Sequence, residues 1–258
     1  MQSLFFGPSS RQLYGVYSPA RADRERDEGI VFCYPFGQEY MRAHRPLRQL
    51  ANDLANLGYH VLRFDYRGSG DSAGDMHDMT PDLWVEDTVL AIEHLRDIAA
   101  LDSIAVVGLR LGSLLGTAAA SQCRDITRLL LWDSVINGSS YVSELSQGLP
   151  RLTLEDGAAN YIDATDCLHV NGFSMPLAFQ QGLREMQLAT LEINSIPAVL
   201  QLASHENAES EHLRKTWSGR RNVNYQLCPA PHDWNYVDHI GSILLPQPIM
   251  AAIRQWFS

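Results

Sequence analysis

Short apolar runs alternate with stretches of helical periodicity along most of this 258-residue chain. The runs span residues 29–34, 60–65, 103–107, 129–132, 198–202 and 222–227. Several lack polar alternation, as expected of strands buried on both faces of a sheet. Between them, Leu47, Leu50, Leu54 and Leu57 repeat at helical spacing ahead of Gly58, a C-terminal stop signal. Thr80 and Pro81 form a cap and first turn for a helix whose apolar face carries Val85, Val89, Ile92 and Leu95. A small-residue helix is predicted over 110–121 and a closing helix over 246–257, and two strands joined by a turn (4–6 and 12–17) open the chain. Strands alternating with helices predict an α/β fold, a mostly parallel sheet flanked by helices on both faces.

The alternation stops between Val135 and Ile196. A long excursion between strands is usually an inserted functional element. The expected organisation is therefore a core of residues 1–134 and 197–258, with 135–196 inserted as a cap over the carboxyl ends of the strands. A lateral decoration is the alternative. The excursion reads as loop-like and then helical, with Met186, Leu188 and Leu191 in its last turns, and Tyr141, Leu145, Phe173, Met175 and Phe179 as candidate apolar walls.

Charge narrows the partners. The net charge of −10 and pI near 5.3 argue against nucleic acid, which needs a basic surface to neutralise phosphate, and against docking on anionic membranes. No apolar run reaches the roughly 20 residues that span a bilayer, and no signal-peptide pattern opens the chain. The cysteines Cys33, Cys123, Cys167 and Cys228 form no CxxC pair and read as free thiols. A cytoplasmic protein is the expectation. No His/Cys/Asp spacing suggests a metal, and no cofactor is expected; Gly68-Ser69-Gly70 lacks the Gly-Lys-Ser/Thr ending of a phosphate loop.

Sites in open parallel sheets form at the carboxyl ends of the strands. At one such end, Ile104 to Val107 runs into Gly108-Leu109-Arg110-Leu111-Gly112 and then a helix. This is the spacing of the Gly-x-Ser-x-Gly elbow, with arginine at the centre. Other strand ends carry Tyr34-Pro35-Phe36-Gly37-Gln38-Glu39 and Pro231-His232-Asp233-Trp234, and Asp65 to Ser72 reads Asp-x-Arg-Gly-x-Gly-x-Ser. With these motifs the chain resembles the α/β-hydrolase superfamily over nearly its whole length outside 135–196. Pro35 to Glu39, followed by Arg42-Ala43-His44-Arg45, resembles the exosortase-associated or serine-aminopeptidase-like hydrolases.

The resemblance implies an α/β-hydrolase fold, with the N–H groups of Phe36 and Leu111 as oxyanion donors and His232 as base. Glu206 stands at the usual acid position and Asp133 at the site some members use instead. Either carboxylate would set the imidazole tautomer. Arg110 departs from the pattern and cannot attack a carbonyl, because a guanidinium stays protonated. Ser113, three residues into the helix, would face away from the elbow tip. Two readings of Arg110 follow. One is a structural ion pair, with Glu39 or Asp133. The other is a clamp on a substrate carboxylate or oxyanion, with Glu39 beside it in the substrate-binding set. His232 likewise reads as a site residue or a packed histidine, while His169, His205 and His239 show no partner pattern. The expected function is an enzyme of hydrolase ancestry acting on a small acyl ester, thioester or related carbonyl compound, free or carrier-bound, by hydrolysis, elimination or cyclisation without a covalent serine. The alternative is an inactive member that binds a ligand or a partner protein.

Overall fold

A computed structural model describes residues 1–147, 149, 160–235 and 244–258. In chain order its strands are β1 (Gln2–Phe6), β2 (Leu13–Ser18), β3 (Glu28–Cys33), β4 (His60–Phe64), β5 (Ser103–Leu109), β6 (Ile126–Trp132), β7 (Tyr161–Ile162), β8 (Leu168–Val170), β9 (Phe173–Met175), β10 (Ala198–Ala203) and β11 (Val223–Leu227). Its α-helices are α1 (Gly37–Asn56), α2 (Pro81–Ala99), α3 (Leu111–Ala120), α4 (Gly138–Ser146), α5 (Leu177–Glu185), α6 (Ala208–Thr216) and α7 (Gln247–Trp256).

Eight strands form one sheet in the order β1-β2-β4-β3-β5-β6-β10-β11. The opening hairpin joins antiparallel through β2 and β4, and every later neighbour is parallel. The central strands are apolar because both faces are covered; β4 is buried along its whole length. Helix α1 packs beside α7, and α2 beside α3. Thr80 caps α2, its hydroxyl accepting from the Leu83 N–H, and Pro81 occupies the first turn. No described helix is long and apolar enough to cross a membrane.

The excursion over 135–196 is more structured than its sequence suggests. It holds α4, a separate three-stranded antiparallel sheet β7-β8-β9, and α5. These strands are two or three residues long, too short for an alternation to register. Helix α5 ends at Glu185, so Met186 is its cap and Leu188 belongs to a following 3-10 turn. The excursion is anchored by an aromatic cluster. Phe179 lies 4.7 Å from Trp84 of α2 and 6.3 Å from Phe36, ring centroid to centroid, and Phe173 lies 6.5 Å from Phe36. Phe179, Met175 and Leu145 are buried in this packing, so they join the core.

Candidate active site

Strand β5 ends at Leu109, and the chain turns sharply at Arg110 into α3. Arg110 has φ 53° and ψ −121°, a conformation that a non-glycine residue holds at a cost of about 1–3 kcal/mol. Neighbouring backbone pins the turn: Arg110 N–H donates to Trp132 O at 3.0 Å, and Val135 N–H donates to Arg110 O at 3.2 Å. The flanking glycines are required by contact. A Cβ on Gly108 would lie 2.4 Å from the Ser113 Cα, and one on Gly112 would lie 2.1 Å from the Cys33 carbonyl oxygen. This approach sets the start of α3 against the end of β3, where Phe36 caps α1. Phe36 and Leu111, the expected oxyanion donors, are buried as whole residues, and neither is among the residues that line the cavity described below. Ser113 is fully buried, and its hydroxyl donates to Gly108 O at 2.7 Å.

The Arg110 guanidinium meets Glu39, which is 0% exposed. Its Nε donates to Glu39 Oε1 at 2.9 Å. The same oxygen accepts from Asn235 Nδ2 at 2.9 Å, and Oε2 accepts from the Tyr141 hydroxyl at 3.2 Å. Burial works against the arginine charge, but Glu39 more than offsets it and holds the Arg110 pKa above its ordinary value. Burial also pushes the Glu39 carboxyl up, while Arg110 and Tyr141 pull it back. The pair is therefore the structural partnership that one sequence reading names. The outer nitrogens make only long contacts: Nη1 lies 3.5 Å from Asp133 O and Nη2 lies 3.9 Å from a Glu144 carboxylate oxygen.

Asp133 follows β6 with φ 43°. Its carboxylate accepts from Ser204 N–H at 2.7 Å, from the Ser204 hydroxyl at 2.7 Å and from Trp234 Nε1 at 3.2 Å. Neither Asp133 nor Glu206 is hydrogen-bonded to His232. That expected pair is not formed, because Ser204 and Trp234 already occupy Asp133. Glu206 is exposed and lines a separate cavity with Arg214 and Tyr225. His232 is exposed, with Nδ1 3.2 Å from Ala230 O, and its ring stacks on His205 at 3.8 Å and 12°. Sequence reasoning passed over His205, since it sits two residues beyond β10 in no recognisable motif.

Arg110, Glu39, Asp133, His205, His232 and Trp234 line one cavity of about 540 Å³. Of the five candidate walls in the excursion, Tyr141 lines it; Leu145, Phe173, Met175 and Phe179 are not among its lining residues. Most of the residues around it carry polar or charged side chains, with Glu144, Glu209 and Asp233 adding carboxylates. Phe173 and Phe179 are instead spent on anchoring the excursion.

Two further motifs are structural. Arg67, in the glycine-rich loop, is held by Asp87: its N–H donates to Oδ2 at 2.8 Å and its side chain pairs with Oδ1. Burial pushes the Cys33 thiol up to about 12, consistent with an inert core cysteine. In the excursion, Asp163, Cys167 and His169 bring ligand-type atoms within 4.8 Å of one another. Asp163 is consumed there as a turn acceptor, taking the N–H groups of Thr165 and Cys167 on one oxygen and the His169 ring on the other.

Residues 38–155 match the family model described as serine aminopeptidase, S33. No curated protein matches the sequence. Among solved structures, Est1E from Butyrivibrio proteoclasticus, with ferulic acid bound, superposes with a TM-score of 0.66 at 15% identity, over 98% of this chain and 96% of that one. An esterase from Pyrococcus furiosus gives 0.63 at 17% identity, over 90% and 82%. Mouse alpha/beta hydrolase domain-containing protein 10 gives 0.57 at 18% identity, over 88% of each chain.

Proposed function

From the α/β-hydrolase fold that this chain shares with its solved neighbours, we propose that it cleaves an acyl ester, thioester or related carbonyl compound by direct attack of water, without a serine acyl-enzyme. The observation that carries this reading is the convergence of two stacked imidazoles and the Arg110 fork on one cavity. Imidazole supplies a base near neutral pH, and N–H donors stabilise the oxyanion that develops on the carbonyl.

The electrostatics favour a neutral carbonyl over a free carboxylate as the group Arg110 meets. Glu39 cancels the guanidinium charge at 2.9 Å, and four more carboxylates (Asp133, Glu144, Glu209 and Asp233) line the same cavity. What Arg110 offers is directed N–H donors with little net positive field. A substrate of this class, free or carrier-bound, would turn its carbonyl oxygen toward those donors and a polar remainder toward the rim.

The test is a panel of acyl esters and thioesters with the wild-type chain and the His205→Ala/His232→Ala double variant. Turnover by the wild type and its loss in the double variant are expected. Wild-type rates in the double variant would sink the reading. A second reading, a ligand-binding relic, is favoured by one observation: among the described residues, His232 has no carboxylate hydrogen-bond partner. Binding of an acyl compound with no turnover of any panel member would select it.

A further inference from the structure

We propose that the working base is His205, held by Asp133 through the hydroxyl of Ser204, and that His232 serves only as its stacking partner. The proposal rests on the hydrolase reading above and deepens it. Among the described residues, every hydrogen-bond partner of the Asp133 carboxylate is a donor: Ser204 N–H, the Ser204 hydroxyl and the Trp234 indole. Asp133 has no proton to offer, so the single hydroxyl proton of Ser204 points at Oδ2, 2.7 Å away. That leaves Ser204 Oγ as an acceptor. Its next neighbour is His205 Nδ1 at 3.3 Å, which must therefore be the donor. The tautomer follows: the proton is on Nδ1 and the lone pair is on Nε2. The contact at Nε2 agrees, since it is the Asn207 amide nitrogen, a donor, at 3.5 Å, too long to hold the lone pair firmly.

His232 has a weaker claim. Its Nδ1 faces a backbone carbonyl, Ala230 O, which can orient a ring but carries no charge to stabilise an imidazolium. The charged and titratable groups acting on His205 are His232, Asp133, Arg110 and Asp233. Burial, then His232, and also Arg110 hold His205 below the ordinary imidazole value, against the pull of Asp133 and Asp233, so its Nε2 is free at neutral pH.

The step balances with water alone. His205 Nε2 takes a proton as the water oxygen bonds to the carbonyl carbon. The carbonyl π pair moves onto its oxygen, where the outer nitrogens of Arg110, which lines the same cavity, serve as donors. When that pair returns, the bond to the leaving oxygen or sulfur breaks, and the proton on Nε2 passes to the leaving group. Ser204 is a positioning residue in this scheme. It is 2% exposed and its proton is engaged by Asp133, so it is not placed to attack.

Long-range proton–nitrogen NMR of the full-length, nitrogen-15-labelled protein reads ring tautomers without a substrate. His205 should show the Nδ1–H form and titrate below the ordinary imidazole range. Ser204→Ala should shift His205 toward the Nε2–H form and lower its pKa, and Ser204→Thr, which keeps the hydroxyl, should restore both. On any ester the wild type turns over, His205→Ala should cost about 10²-fold or more in kcat. Ser204→Ala should lower kcat with KM nearly unchanged, and His232→Ala should cost less than either. An Nε2–H tautomer in the wild type, a tautomer unmoved by Ser204→Ala, or a larger loss in His232→Ala would overturn the assignment. So would covalent labelling of Ser204 by a fluorophosphonate. Failure of the wild type to turn over any ester overturns the hydrolase reading separately, while the tautomer still decides the relay.

Discussion

Glu39 and Arg110 stand 71 positions apart in the chain, yet their side chains meet at 2.9 Å at the tip of the elbow. Glu39 is wholly enclosed and Arg110 nearly so. Removing one member of such a pair strands the other, a loss of about 3–5 kcal/mol. Arg110→Ala should therefore be destabilised by that order, and its stability should depend on pH. With the cation gone, the buried Glu39 pKa rises further above its unfolded value. A raised carboxyl contributes stability below the unfolded pKa and loses it as pH climbs through the folded one. Denaturant midpoints should fall from acid toward neutral pH in Arg110→Ala more steeply than in the wild type. A midpoint independent of pH in the variant would mean that Glu39 is solvated there.

Arg110→Lys tests the fork separately. Lysine keeps the charge but loses the planar set of donors, so stability should recover more fully than activity on a responsive ester. Equal recovery of both would remove the guanidinium from the chemistry.

Serine-directed fluorophosphonates should leave the protein unlabelled. The elbow tip is Arg110, and Ser113 turns its hydroxyl onto the Gly108 carbonyl in the fully buried start of α3. Intact-mass spectrometry after incubation decides this, and a stoichiometric adduct on any serine would restore a covalent route.

Phe179 pins the excursion through Phe36 and Trp84. Phe179→Ala should cost about 3–5 kcal/mol, the usual loss for a large aromatic removed from a core. Hydrogen exchange should show the loss concentrated in α5 and β9, with β5 and β6 still protected. Uniform deprotection would instead make the excursion one cooperative unit with the sheet.

Asp163 carries the acid sensitivity of the small sheet. Burial raises its carboxyl, but His169, Thr165 and Cys167 more than reverse this and hold it well below the ordinary carboxylate value. A depressed carboxyl stabilises the fold above its unfolded pKa and loses that contribution as pH falls through the folded one. Amides 163–169 should exchange faster as pH drops below about 4, the ordinary carboxylate value, after correction for intrinsic rates. Asp163→Asn should remove most of that pH dependence.

The parallel core was legible because buried strands leave continuous apolar runs and α2 carries a cap signal at Thr80 and Pro81. The elbow was legible because Gly108 and Gly112 are imposed by close backbone contacts. The excursion was not. Strands of two or three residues hold no period, and residues such as Phe173 and Phe179 look the same whether they line a cavity or anchor an inserted segment. His205 was not legible either, since its link to Asp133 runs through Ser204 across 71 positions and depends on which strands are neighbours. The Glu39–Arg110 pair could be suspected, because a buried cation needs a counter-charge, but the choice of Glu39 over Asp133 needed coordinates.

The turn at Arg110 keeps its positive φ with an arginine in place, held by Trp132, Val135 and the crowded glycines on either side. The backbone there acts as a socket that projects whatever side chain it receives toward the cavity. Arg110→Ser would therefore present a hydroxyl at the right place in the fold, yet the gain of a nucleophile would arrive alone. Glu39 would lose its cation, and among the described residues the imidazole nearest a carboxylate at this cavity reaches Asp133 only through Ser204. Converting this chain to a serine enzyme is consequently a problem of at least three coordinated changes, at 110, at 39 and around 232, and a single reversion should yield a less stable protein without a burst of acyl-enzyme.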